Sequence, residues 1–230
     1  TAYTGRTQAI IAPYDRSEVV GEVVNSNPQA IVDALDAAAS AFNDWRLYLV
    51  EQRAGCLFKA ADLMEQQRME LVALSVREGG RTIKDALAEV REAVDFCRYY
   101  AVSALELFRY PINLPGPTGE ENNLRYYGRG IFVCISPWNF PIAIFVGQVA
   151  AALAAGNTVI AKPAESTTLT AMACVRILHQ AGIPESVLQF LPGKGSEIGS
   201  QLLQDSRIAG VAFTGSTATA HRINRELAGH

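Results

Sequence analysis

The chain has 230 residues, enough for one large domain or two small ones. With 49% hydrophobic and 19% charged residues, its composition is that of a globular protein and excludes a disordered one. Its 20 basic and 23 acidic residues leave a net charge of −3, which argues against a module that binds nucleic acid by neutralising phosphates.

Residues 9–12 and 19–24 flank a polar turn cluster and predict a short β-ribbon. Asn27-Pro28 then opens a helix, with Asn as cap and Pro at the first helical position. Ile31, Leu35, Ala38, Ala39 and Phe42 recur every three or four residues and mark its buried face. A second helix is predicted over 50–67, and a third stops at Gly79-Gly80. A long amphipathic fourth covers 82–108, with Ile83, Ala86, Leu87, Val90, Val94, Phe96 and Cys97 on its apolar side. Residues 111–119 are too rich in Pro and Gly to continue it.

After that break the pattern changes. Strands are predicted over 124–127 and 130–135. Further strands at 158–161, 187–191 and 211–214 alternate with helices at 167–180 and 196–204 and a last helix opened by Ser216. Short apolar strands separated by helices predict parallel βαβ units, with strands buried on both faces. The last helix is expected to run to the chain end at Gly229-His230, which makes this the front part of a longer protein.

Cys56, Cys97, Cys134 and Cys174 form no C-x-x-C and have no histidine at metal-ligand spacing. Each lies among apolar residues, which predicts buried free thiols in a reducing compartment and no metal site. Residues 1–10 contain no apolar run of signal-peptide length. The longest apolar stretch, 142–155, is broken by Gly147 and Gln148 and is too short to span a bilayer.

In a parallel sheet, ligands bind beyond the carboxyl ends of the strands. Four polar segments fall there. Ser136-Pro137-Trp138-Asn139-Phe140-Pro141 is a turn stiffened by two prolines, and its Asn amide is either an oxyanion donor or a group that satisfies turn backbone. Lys162-Pro163-Ala164-Glu165 offers a donor and an acceptor that could hold ribose hydroxyls, or else a solvated ion pair. Gly193-Lys194-Gly195-Ser196-Glu197-Ile198-Gly199 is a glycine-rich strand-to-helix turn whose third glycine is one place late for a dinucleotide fingerprint. Thr214-Gly215-Ser216-Thr217 opens a helix, as a phosphate site or as a plain cap.

At these spacings, Ile135 to Pro141 with Lys162-Pro163-Ala164-Glu165 and Phe213-Thr214-Gly215-Ser216-Thr217 resembles the aldehyde dehydrogenase superfamily. Residues 91–100 and 116–120 carry a narrower likeness. It is to the L-glutamate γ-semialdehyde (Δ1-pyrroline-5-carboxylate) dehydrogenase part of the bifunctional proline utilization A family. The resemblance implies an α/β fold, a Rossmann-type parallel sheet preceded by a helical segment and cut off before the catalytic domain. Residues 1–110 would be the ribbon and helical part, 111–129 a linker and bridging strand, and 130–230 the NAD-binding part.

The resemblance also implies roles. Asn139 would be catalytic, as oxyanion donor. Lys162 and Glu165 would hold the adenosine ribose of NAD, and Ser216 would meet the pyrophosphate. Ile135, Pro137, Trp138, Ala164, Gly195, Gly199, Phe213, Thr214 and Gly215 would line the dinucleotide. Glu92 would face the substrate's ammonium group, or be an ordinary exposed helix residue. The family's nucleophilic cysteine and general-base glutamate would follow the last helix, so the chain alone is expected to be inactive. Ala220 stands where many members have glycine. Glu165, with no arginine following nearby, favours NAD over NADP.

The implied function is NAD-dependent oxidation of L-glutamate γ-semialdehyde to L-glutamate in proline catabolism. The implied setting is a bacterial cytoplasm, with a mitochondrial matrix as the other option. A homo-oligomer and a fused proline dehydrogenase domain are the implied partners. Three alternatives stand beside it: a dehydrogenase of another aldehyde such as succinic semialdehyde, a non-catalytic dinucleotide-binding module, and an oligomerisation fragment with 124–135 as an exposed strand edge.

Overall fold

A computed structural model of the chain describes residues 5–229. Strands β1 (Thr7–Ile11) and β2 (Val19–Val24) pair antiparallel as the first ribbon. Helix α1 (Pro28–Leu47) begins where the Asn27 side chain accepts from the Ala30 amide at 2.8 Å. It is followed by α2 (Val50–Gln66), α3 (Arg68–Gly79) and α4 (Ile83–Phe108). Gly80, at φ 65°, ends α3 in the left-handed conformation that glycine adopts without strain. The Thr82 hydroxyl caps α4 at the Asp85 amide.

The buried stripe of α4 centres on Ala86, Val90, Ala93, Cys97 and Ala101. Leu87 therefore falls on its rim and Ile83 in the first turn beyond it, and both are exposed, against expectation. Residues 111–119 are not wholly irregular either. Strand β3 (Ile112–Leu114) pairs antiparallel with β4 (Asn122–Leu124) in a fully exposed second ribbon. The strand expected at 124–127 thus ends at Leu124, and what precedes Leu124 pairs instead.

Strands β5 (Ile131–Ile135), β6 (Thr158–Lys162), β7 (Leu188–Phe190) and β8 (Ile208–Phe213) form one parallel sheet in the order β7-β6-β5-β8. β5 is thus an inner strand, hydrogen-bonded on both sides, which removes the exposed-edge reading for 131–135, while Leu124 lies in the exposed β3–β4 ribbon. Helices α5 (Ala143–Ala154), α6 (Thr168–Ala181), α7 (Gly195–Leu203) and α8 (Thr217–Leu227) connect or follow the strands. α8 ends at Leu227, short of the chain end that the sequence predicted for it.

Alternate strand residues face opposite cores. Val133 and Ile160 join α1 and α7, whereas Cys134, Val159 and Ala161 join α2, α4, α5 and α6. Burial on both faces holds for β6, but β8, at the sheet edge, is half-buried along its length. Among the described residues, no helix is long and apolar enough to cross a membrane.

Helices α5, α6 and α7 have no side-chain cap of their own, and for α5 and α6 glutamates from the helical segment supply one. At α6, buried Glu78 accepts from the Leu169 amide at 2.7 Å, from the Thr170 amide at 2.6 Å and from the Thr170 hydroxyl. At α5, buried Glu89 accepts from the Ile142 and Ala143 amides. The other end of α5 is held by one cation and one neutral donor. Arg53 Nε donates to the Ala154 carbonyl and Trp45 Nε1 to that of Leu153, both at 3.2 Å. Negative charge at the N-terminus and positive charge at the C-terminus both suit the helix dipole. Gly147 lets α5 approach α4, because a Cβ there would lie 3.0 Å from the Phe96 ring.

Candidate functional site

Register sets the site. Ile135 pairs with Lys162 on one side and Phe213 on the other, so the ends of β6, β5 and β8 are level. The chain moves from β5 to β6 and β7 in one direction, while β8 lies on the opposite side of β5. Such a change of direction opens a crevice at the carboxyl ends of a parallel sheet. The Thr214 amide donates to the Ile135 carbonyl at 3.2 Å. In the orientation that satisfies both its ends, the Gln148 amide donates to the same carbonyl at 3.3 Å and accepts from the Thr214 hydroxyl at 3.0 Å. These bonds tie the ends of β5 and β8 together.

Two adjoining clefts lie over this edge. The larger, about 700 Å³, is lined by Pro137, Trp138, Asn139, Lys162, Ala164, Glu165, Phe213, Thr214, Gly215 and Ser216, with Ile144 and Thr219. The second, about 310 Å³, runs between α7 and α8 and is lined by Ile135, Lys162, Glu165, Gly195, Gly199, Ser200, Thr219, Arg222 and Ile223. The structure brings together every predicted site residue except Glu92. That residue is exposed on α4 and lines neither cleft.

Lys162 and Glu165 border both clefts. They do not form the solvated ion pair that was the alternative reading. Lys162 is only 5% exposed, and its Nζ donates to the Pro163 carbonyl at 2.8 Å. Burial pushes its ammonium below the ordinary lysine range, with Glu165 pulling the other way. An ammonium has three N–H bonds; the described residues give it one acceptor, so two donors are left for a ligand. The Glu165 carboxylate accepts from the Gly195 amide at 3.1 Å, at the start of α7.

Ser216 is the N-cap of α8, and its hydroxyl accepts from the Thr219 amide at 3.2 Å. Capping does not use up the helix end, because the first-turn amides before Thr219 have no intrahelical acceptor. Gly199 has nothing within 4 Å of where a Cβ would be, so a side chain there would enter the narrow cleft. A Cβ at Gly195 would lie in ordinary contact with the Lys162 side chain, 3.8 Å from its Cε. The donors, the open helix end and the glycine floor fit a dinucleotide.

Arg222 was missed by sequence reasoning. It reaches the narrow cleft from α8 and donates to the Ser200 hydroxyl at 2.6 Å. An arginine therefore does border the same cleft as Glu165, although none follows Glu165 closely in sequence. Trp138 is 62% exposed and Asn139 is exposed beside it, both at the mouth of the larger cleft. Cys134 lies inside β5, where burial pushes its thiol up to about 12. That value leaves almost no thiolate near neutral pH, so Cys134 is no nucleophile.

The model of the aldehyde dehydrogenase family matches residues 1–230. The chain belongs to the aldehyde dehydrogenase family. It is 44% identical over 225 residues to the bifunctional protein PutA of Escherichia coli, covering 97% of this chain and 16% of that protein. It is 40% identical over 218 residues to the 1-pyrroline-5-carboxylate dehydrogenase of Anoxybacillus flavithermus, covering 95% of this chain and 42% of that protein. Among solved structures, that of 1-pyrroline-5-carboxylate dehydrogenase from Thermus with bound NAD has a TM-score of 0.93. It is 40% identical, over 97% of this chain and 43% of that one. Proline utilization A from Bdellovibrio bacteriovorus has a TM-score of 0.94 at 36% identity, over 98% of this chain and 23% of that one. The chain therefore spans less than half the length of these aldehyde dehydrogenase relatives.

Proposed function

We propose that this chain is the cofactor-binding part of an NAD-dependent enzyme that oxidises L-glutamate γ-semialdehyde to L-glutamate. The observation that carries the reading is the pair of adjoining clefts at the level ends of β5, β6 and β8. They are floored by glycines and bordered by a buried ammonium with donors to spare. Family membership and relatives named 1-pyrroline-5-carboxylate dehydrogenase and PutA support the choice of reaction.

Lys162 and Glu165 hold the hydroxyls of the adenosine ribose in this reading. The start of α8 at Gly215 and Ser216 receives the pyrophosphate, where amides and the helix dipole favour an anion. Ile135, Pro137, Trp138, Ala164, Gly195, Gly199, Phe213 and Thr214 form the walls. NAD bound there supplies the hydride acceptor. Asn139 donates its amide to the oxygen that gains negative charge when the aldehyde carbon is attacked. Glu92 is the group proposed for the substrate's ammonium, on helix α4. A fused proline dehydrogenase activity and assembly into a homo-oligomer belong to the same proposal; relatives named as the bifunctional protein PutA support the first.

Glu165 sets the cofactor preference. A 2′-phosphate would sit against its carboxylate, and like charges cost enough to lower kcat/KM for NADP about tenfold or more relative to NAD. Arg222 reduces that penalty without removing it, because it is shared with Ser200 and Glu226. The test is reduction of each nucleotide by the complete enzyme, with L-glutamate γ-semialdehyde and with succinic semialdehyde. Preference for the first aldehyde and for NAD, narrowed by Glu165→Gln, is the expected result. Equal use of NADP, or faster turnover of succinic semialdehyde, contradicts it.

A further inference from the structure

Glu89 is 1% exposed on α4, yet its carboxylate serves a turn distant in the sequence. Its Oε1 accepts from the Ile142 amide at 2.6 Å and the Ala143 amide at 3.2 Å. These amides directly follow Pro141, the last residue of the 136–141 turn. Its Oε2 faces Arg81 Nε at 3.7 Å, and neither atom has a hydrogen-bond partner among the described residues. The Arg81 guanidinium in turn lies over the Phe140 ring, 4.8 Å from its centre. Phe140 is the residue after Asn139.

One carboxylate thus grips the turn twice. It holds the exit by two hydrogen bonds, and it holds Arg81, which is wedged against Phe140. The prolines fix φ at 137 and 141 only, so the backbone between them needs another restraint. A cation against an aromatic face supplies one. An oxyanion donor works only if it is already in place when the charge forms. Misplacement by about 1 Å can cost 100-fold in rate.

We propose that Glu89 is a positioning residue for Asn139, acting through Arg81 and Phe140. The proposal rests on the reading of Asn139 as the oxyanion donor. Glu89→Gln keeps an acceptor for the α5 amides and deletes the charge that faces Arg81. Arg81→Met removes the wedge and leaves the α5 cap intact.

The experiment is a double-mutant cycle on the complete dehydrogenase, measuring kcat, aldehyde KM and NAD affinity for Glu89→Gln, Arg81→Met, Asn139→Ala and the two pairs with Asn139→Ala. Each positioning variant is expected to lower kcat about 10- to 100-fold, with KM and NAD affinity within about twofold. Neither is expected to lower kcat further once Asn139 is alanine, because the donor they position is gone. A purely structural role would instead multiply the losses, and that result overturns the proposal. Losses below threefold in both single variants overturn it as well. Should Glu89→Gln fail to fold, the Arg81→Met arm decides alone. A kcat unchanged by Asn139→Ala sinks the oxyanion reading itself, and the proposal with it.

Discussion

Asn139→Ala in the complete dehydrogenase is expected to lower kcat by about 10²–10³, the usual loss for one oxyanion donor. NAD affinity should stay within about twofold, because the nucleotide's proposed anchors are Lys162, Glu165 and the start of α8. The side chain is exposed at the mouth of the larger cleft, so its removal leaves no buried cavity and should not lower the melting temperature. Steady-state rates with saturating NAD, beside a thermal melt, check both statements. A loss under threefold would remove Asn139 from the mechanism.

The second large effect falls on stability. Glu78→Ala strips the Leu169 amide, the Thr170 amide and the Thr170 hydroxyl of their acceptor at the start of α6. Each orphaned buried donor costs about 1–3 kcal/mol, so a total loss of about 3–5 kcal/mol is expected in urea unfolding. The same carboxyl carries a pH signature. Burial pushes it above the ordinary glutamate range, and its hydrogen bonds from Thr170 and Leu169 only partly oppose this. The folded state thus holds this proton more tightly than the unfolded chain. The associated stability is fully present below the unfolded value of about 4.3 and is lost as pH rises through the folded one. The unfolding free energy of the parent chain, relative to Glu78→Gln, should therefore fall as pH rises from about 4. A difference that grows with pH would show the carboxyl to be depressed instead.

Local chemistry made much of this molecule legible. Asn27-Pro28 is a helix start wherever it occurs ahead of an apolar periodicity, and Gly80 adopts the left-handed turn that only glycine takes freely. The polar segments after β5, β6, β7 and β8 could be placed because parallel strands must end on one side of a sheet. What escaped was set by distant partners. Glu78 and Glu89 were not singled out, since nothing near them in sequence announces the α5 and α6 amides they meet 53 to 92 residues later. Arg222 escaped for the same reason, because the cleft it shares with Glu165 exists only once α7 and α8 lie together. The β3–β4 ribbon was hidden differently. It is exposed on every residue, so it carries no alternation of apolar and polar positions to betray a strand.

The central claim, that these clefts are a nucleotide site, is tested most directly by calorimetric titration of NAD into the 230-residue chain and its Lys162→Ala variant. Losing a hydrogen bond from a charged group costs about 1.5–3 kcal/mol, so the variant should bind about 10-fold more weakly or worse. Both proteins should unfold cooperatively in a parallel melt. A parent chain that melts cooperatively and gives no heat with NAD would contradict the assignment.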